Sequence, residues 1–447
     1  MKVSERNLAI LSVVAFALYV AVLVVTTASP CRIFGGGGWF EPPCDIRIGI
    51  VEADLVYNGI DPYDIWSGKR IIKGYRPGLY SPGADYSNYS DSDEDVNVHP
   101  PWFYAAMLPF VFLPIRIATA IHFLLMAAGL ITLVILGYRL SRKYGLDACE
   151  SIVAATSSVL VLAIPVLQDF SSANWALLVI VAAAMMAVAL ERGHDVLAGV
   201  CWAVVMLKPQ VGLIFAVPLL MRLRIRTFAV AVATCVAVSM LPAMLTHTSP
   251  VEMLLRTPGS NSGQFWGCGT MPSFICSLMP KNLAVVVGLV IGVLICIWLT
   301  RKVISSTDEL LIITPAAICS MCWTYARCYS HVAAWFFFIW LCIALKRSNY
   351  SRRYVILGIV ALLSMTRLFS GLHCLRVHLN ASCLQAMDWI VNYFEPIDTL
   401  NSTLDLVLFV CLLAFMFQDG LLKRAQEPCL NALRTRCRTT AQPAGRT

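Results

Sequence analysis

The chain is predicted to be an all-α polytopic membrane protein, and three observations predict it. Charged residues make up only 13% of its 447 positions while 58% are apolar, against about 25% charge in soluble globular proteins; the mean hydropathy is +0.73. Apolar runs long enough to cross ~30 Å of hydrocarbon recur along its length. Lys and Arg gather in short clusters between those runs, as the cytoplasmic loops of membrane proteins require. The net charge of +8 therefore reads as a set of topology signals. No basic face for nucleic acid is expected, and the bilayer is the first partner.

The first run, 8–28, follows Lys2 and Arg6. It is longer than the ~7–15 residues of a signal-peptide core, so it reads as a retained helix with the N-terminus cytoplasmic. Further runs follow at 117–137, 151–168, 173–190, 227–245, 283–300, 309–326, 330–345, 354–371 and 404–418. The run 195–221 is interrupted by Lys208-Pro209-Gln210. A Lys at the bilayer centre is costly and Pro removes a helical hydrogen bond, so two short helices forming a hairpin are expected there. The total is about 12 crossings. Basic clusters at Arg139/Arg142/Lys143, Arg192, Arg222/Arg224/Arg226, Arg301/Lys302, Lys346/Arg347/Arg352/Arg353 and the tail from Lys423 then fall on one side. Counting Trp102–Pro114 as a crossing would flip every later loop, so His99-Pro100-Pro101-Trp102 opens an interfacial or re-entrant helix instead.

This parity divides the chain into a transmembrane domain, 1–418, and a basic cytoplasmic tail, 419–447. The large first outer loop spans 29–116, with further outer loops at 246–282 and 372–403. The turn Gln168–Asn174, the Lys208 break and the segment Tyr325–His331 share that outer face, so the unusual polar residues meet one compartment.

Several of them can carry chemistry. Asp45 follows Pro42-Pro43-Cys44 and is either a general base for a hydroxyl group or a helix cap for 46–57. Gly59-Ile60-Asp61-Pro62-Tyr63-Asp64 is turn chemistry, marking an ordered loop. Lys208 either meets an anion such as phosphate or snorkels at a helix end. Arg327 and His331, at the mouth of a spanning helix, either bind a phosphate or belong to an interfacial aromatic belt. Asp91-Ser92-Asp93-Glu94-Asp95 lacks the later Gly and Glu of a calcium loop and reads as solvated. Gly35–Gly38 is a link, and no Walker loop, zinc spacing or dinucleotide fingerprint occurs, so no cofactor or metal is expected. Cys31/Cys44 and Cys374/Cys383 are candidate outer disulfides, and Asn88, Asn380 and Asn401 open sequons.

In combination these pieces resemble glycosyltransferase family 87 of the GT-C superfamily. The resemblance rests on an Asp after the first helix, Gly-x-x-Pro-Tyr-Asp about 14 residues later, Pro-Pro-aromatic before an apolar segment, Leu-Lys-Pro, and an aromatic-x-His helix start, from about residue 8 to about 345. It implies a GT-C-type bundle and an inverting transfer of one sugar from a polyprenyl-phosphate donor to a lipid or glycan acceptor, on the outer face of a bacterial plasma membrane. Mannose leads by analogy, with arabinose or another hexose open. Asp45 matches the catalytic position, Tyr63 the turn after it, Lys208 the Lys of the hairpin turn and His331 a His near the donor phosphate; Lys208, His331, Arg327 beside it, Tyr63 and Asn174 are the candidate donor-phosphate or substrate-binding residues. Ser172-Ala173-Asn174-Trp175 replaces the family's Gly-Gln-x-Asn, His99 stands for the Tyr of Tyr-Pro-Pro, and the acidic insertion 85–95 departs from the compact family loop. Two other classes remain open at this stage: a lipid transporter or flippase, which also uses broken helices, and a non-catalytic scaffold of an envelope-assembly complex. Only one clear helix break, without a counterpart in the other half, speaks against the transporter.

Overall fold

The computed structural model describes residues 5–28, 44–66, 99–261, 281–321 and 332–347. The runs 354–371 and 404–418, the loop 372–403, the tail, the acidic stretch 91–95, the three sequons and the candidate disulfides lie outside the described residues. The described chain is all helical. Among the described residues, four helices are long and apolar enough to cross a membrane: Glu5–Leu23 within the longer Glu5–Ala28, Ile115–Lys143, Ile225–Thr246 and Val286–Val303 within Lys281–Val303. Seven shorter apolar helices of 10–17 residues accompany them. The spanning helices carry bare apolar side chains such as Leu11, Leu18, Leu124, Val286 and Leu294, the surface that lipid rather than water accepts.

Local chemistry explains where helices begin. The Asp147 side chain accepts a hydrogen bond from the Glu150 N–H while the Glu150 side chain accepts one from the Asp147 N–H, a capping box that opens Ala148–Leu160. Asp308 caps Glu309–Cys319 by accepting from the amides of Leu310 and Leu311. The run expected as one crossing at 151–168 is instead two consecutive helices, Ala148–Leu160 and Ala163–Ser172. Pro165 is the cause: it has no N–H to offer the carbonyl of Val161, and Pro is tolerated in the first turn of a new helix. The Lys208-Pro209 break is present as read. Asp195–Val205 ends before it, and Pro209–Gly212, a 3-10 turn at Leu213–Phe215 and Ala216–Met221 follow.

Pro101–Val111 is a separate helix of 11 residues, which at ~1.5 Å per residue reaches about half of ~30 Å. It packs on Cys44–Tyr57 where Gly49 allows the approach: a side-chain carbon at Gly49 would stand 3.2 Å from Phe103 and Met107. These two helices, with Tyr63, Trp175 and Met253, form a cap with its own apolar core. A larger core fills the bundle. Phe123, Leu178 and Leu207 pack against both, so they mark the seam between cap and bundle.

The two ends of the bundle differ in chemistry. At one end Lys143 pairs with Asp308 at 2.7 Å and with Glu191, Arg222 and Arg224 share Glu309, and Lys346 reaches Glu150 at 2.8 Å. This end holds the basic clusters at 143, 222–224 and 346 recognised in the sequence. The helices that leave it, Ile115–Lys143, Ala176–Glu191 and Asp195–Val205, carry Asn174 and Lys208 at their other end, beside the cap.

Candidate active site

The seam is where the polar residues converge. Asp45 lies in the first turn of Cys44–Tyr57, and its carboxylate goes to a partner far along the chain: Asn174 Nδ2 donates to Asp45 Oδ2. Lys208 Nζ in turn donates to Asn174 Oδ1. The amide orientation is overdetermined, because Oδ1 also accepts the Ala176 N–H at 3.1 Å and an ammonium can only donate. A carboxylate, an amide and an ammonium from three separate segments thus form one chain of contacts.

Each segment is held in place by its own sequence. The residue Ala173 takes a left-handed conformation, φ 49°, to end Ala163–Ser172, and the Asn174 amide N–H returns to the Asp169 carbonyl at 2.9 Å. His122 Nε2 donates to the Asn174 carbonyl at 3.2 Å, with its ring 4.7 Å from that of Trp175. On the Lys208 side, Trp102 donates to the Met206 carbonyl at 2.7 Å and Trp202 to the Gly212 carbonyl at 3.0 Å. Gly212 is needed there: a side-chain carbon would stand 2.8 Å from the Met206 sulfur and 2.9 Å from the Val205 carbonyl. The chain can therefore fold back over itself directly after Pro209, and Lys208 is left at the apex, only 7% exposed.

A second carboxylate shares this environment. Asp169 is fully buried and accepts from the Leu177 N–H at 2.8 Å, at the start of Ala176–Glu191. It lies just past the apolar run 151–168. Burial raises its proton affinity above the ordinary carboxylate range, while Lys208 and the backbone amides pull the other way and Asp45 adds to the rise.

Of the residues singled out in the sequence, Asp45, Asn174 and Lys208 are brought together. Tyr63 sits apart in the cap core: its hydroxyl donates to the His99 carbonyl at 2.6 Å and its N–H to Asp61 Oδ1 at 2.9 Å. Asp61 and Asp64 accept from Arg256 at 3.1 and 3.0 Å, and Asp54 accepts from Asn58, so these acids shape the loop. His99 pairs with Glu52 at 2.6 Å and stacks on Phe103. Arg327 and His331 lie outside the described residues. Asp169 and His122 went unrecognised in the sequence, the first because it reads as the polar end of an apolar run, the second because it lies within one.

A membrane protein, helical throughout its described residues, with a carboxylate, an amide and an ammonium linked at the seam between its bundle and a cap is the class that fold and site define. The chain belongs to glycosyltransferase family 87, whose family model matches residues 97–322, about half of its length. It is thus a glycosyltransferase and an integral membrane protein. Asn174 and Lys208 fall within the matched residues; Asp45, Tyr63, Arg327 and His331 fall outside them, a shorter extent than the resemblance from 8 to 345. None of the curated proteins compared with the chain matches it.

Proposed function

We propose that the chain transfers one sugar, mannose, from a polyprenyl-phosphate donor to a hydroxyl of a lipid or glycan acceptor, with inversion at the anomeric carbon. The observation that carries this reading is the linked chain Asp45, Asn174, Lys208. Asp45 takes the proton of the acceptor hydroxyl as its oxygen bonds to the anomeric carbon. The bond from that carbon to the phosphate oxygen breaks, and the polyprenyl phosphate leaves with the electron pair. One carboxylate is enough, because a phosphate leaves without help from a second acid.

Lys208 is the cation that offsets charge developing on the phosphate, and the resemblance adds His331, with Arg327 beside it. Asn174 holds base and cation at a fixed separation. The lipid tail of such a donor explains a site at a seam that borders the membrane. Positive-inside parity puts the basic end in the cytoplasm and the site on the extracytoplasmic side.

The test is sugar transfer by purified full-length protein from radiolabelled polyprenyl-phosphate mannose to acceptor lipids, with Asp45→Asn as the variant. Transfer should fall by about 10³-fold or more, given the 10²–10⁴ typical of general bases. Transfer at the wild-type rate in Asp45→Asn would overturn the mechanism. Transfer from a nucleotide sugar and not from the lipid donor would overturn the donor class.

A further inference from the structure

We propose that Asp169 is a positioning residue for this reaction: fully buried in Ala163–Ser172 and bonded to the start of Ala176–Glu191, it offsets the charge of Lys208 and so keeps the site ready to take up a proton at Asp45. The inference rests on the function proposed above and assigns it a second carboxylate.

The geometry begins with the turn between two helices. Asp169 grips it twice, its main-chain carbonyl accepting the Asn174 N–H at 2.9 Å and its carboxylate the Leu177 N–H at 2.8 Å. Asn174 is the residue that links Asp45 to Lys208. Any shift of Asp169 therefore passes to the bridging amide directly. Lys208 is 7% exposed, and an ammonium so deeply placed requires negative charge nearby.

The groups facing this locus are Asp45 from Cys44–Tyr57, Lys208 from the helix break and His122 from Ile115–Lys143 through the Asn174 carbonyl. In the inferred reacting state Asp45 and Asp169 are ionised and Lys208 is protonated, so the locus carries one net negative charge; burial works against the charge on Asp169, and Lys208 and the backbone amides work for it. It becomes neutral when Asp45 accepts the proton of the acceptor hydroxyl. Without Asp169 the same step would start neutral and end positive, so Lys208 would oppose proton uptake. The N–H of Leu177 and the positive end of the helix dipole help a buried carboxylate to stay charged there.

The competing role for Asp169 is a helix cap alone, and Asp169→Asn separates the two. The Asn side-chain oxygen still accepts the Leu177 N–H but brings no charge. If Asp169 sets the charge of the site, the acid limb of kcat/KM for sugar transfer moves to lower pH by roughly one unit, the shift that one nearby charge produces. The plateau kcat falls about 10-fold, with KM for the lipid donor unchanged within about twofold. The limb belongs to the carboxylate pair rather than to either member. An unmoved limb with full kcat overturns the inference, while active Asp45→Asn overturns the underlying function, so the two failures are distinct.

Should Asp169→Asn not fold, infrared titration of the wild-type protein carrying carboxyl-labelled Asp decides the matter. A buried carboxyl band should titrate above the ~3.9 of a free Asp and shift its midpoint in Asp45→Asn. No such band, or one indifferent to Asp45→Asn, overturns the inference.

Discussion

Asp45 and Lys208 are joined through one side-chain amide, Asn174, which donates to the first and accepts from the second. The three residues come from Cys44–Tyr57, the turn before Ala176–Glu191 and the break before Pro209–Gly212. A side chain that has no proton to exchange therefore bridges the base and the cation.

Asn174→Ala removes that link while leaving the main-chain contact with His122 in place. The carboxylate and the ammonium lose their common anchor, and misplacement by ~1 Å of groups acting at a reacting centre costs on the order of 10²-fold in rate. We expect kcat for sugar transfer to fall by about that factor in Asn174→Ala, with the thermal midpoint in detergent changed by only a few degrees for the lost hydrogen bonds. Turnover within threefold of wild type would remove the amide from the mechanism.

Much of this arrangement is legible before folding, for identifiable reasons. Lys208 beside Pro209 cannot continue a helix through hydrocarbon, so the break could be placed from two residues. Asn174 and Asp45 fall on the same face as Lys208 once basic clusters orient the loops, and the structure gathers all three at the end opposite the pairs of Lys143, Arg222 and Arg224. Direct contact is another matter. It depends on Gly49 and Gly212 allowing close approach, and no spacing along the chain reports that. His122 and Asp169 stayed hidden because an apolar context masks a polar residue that has a tertiary partner. The division of 151–168 into two helices was within reach from Pro165 alone, but length and hydropathy outweighed it.

Arg256 ties the helix Pro250–Asn261 to the loop beneath the cap. Its guanidinium meets Asp61 at 3.1 Å, Asp64 at 3.0 Å and Glu252. Asp64 and Glu252 are partly exposed, so those pairs contribute little. The Asp61 side chain is only 3% exposed, and burial raises its proton affinity while Arg256 lowers it. Arg256→Met should therefore cost about 2 kcal/mol by leaving that carboxylate short of a counter-charge. Adding Asp61→Asn should restore at least half of the loss, because removing both charges leaves none uncompensated. Thermal unfolding of the single and double variants in detergent checks this; equal destabilisation of the two would show that Arg256 acts through its packing.

Buried Glu52 pairs with the partly exposed His99 within the same cap, and the balance of two opposing effects on Glu52 can be measured. Burial raises its affinity for a proton above that of a carboxylate titrating at 4.5, while His99 at 2.6 Å lowers it, and burial is the larger. A carboxyl raised on folding contributes stability that is fully present below its unfolded value of 4.5 and is lost as pH rises through its folded value. Glu52→Gln imitates the protonated form and keeps an oxygen to accept from the His99 ring. Its thermal midpoint should therefore match wild type near pH 4.5 and rise above it as pH increases toward 7. A midpoint that instead falls below wild type with rising pH would mean that the ion pair with His99 outweighs the burial of Glu52, and the cap would then be held by charge and not in spite of it.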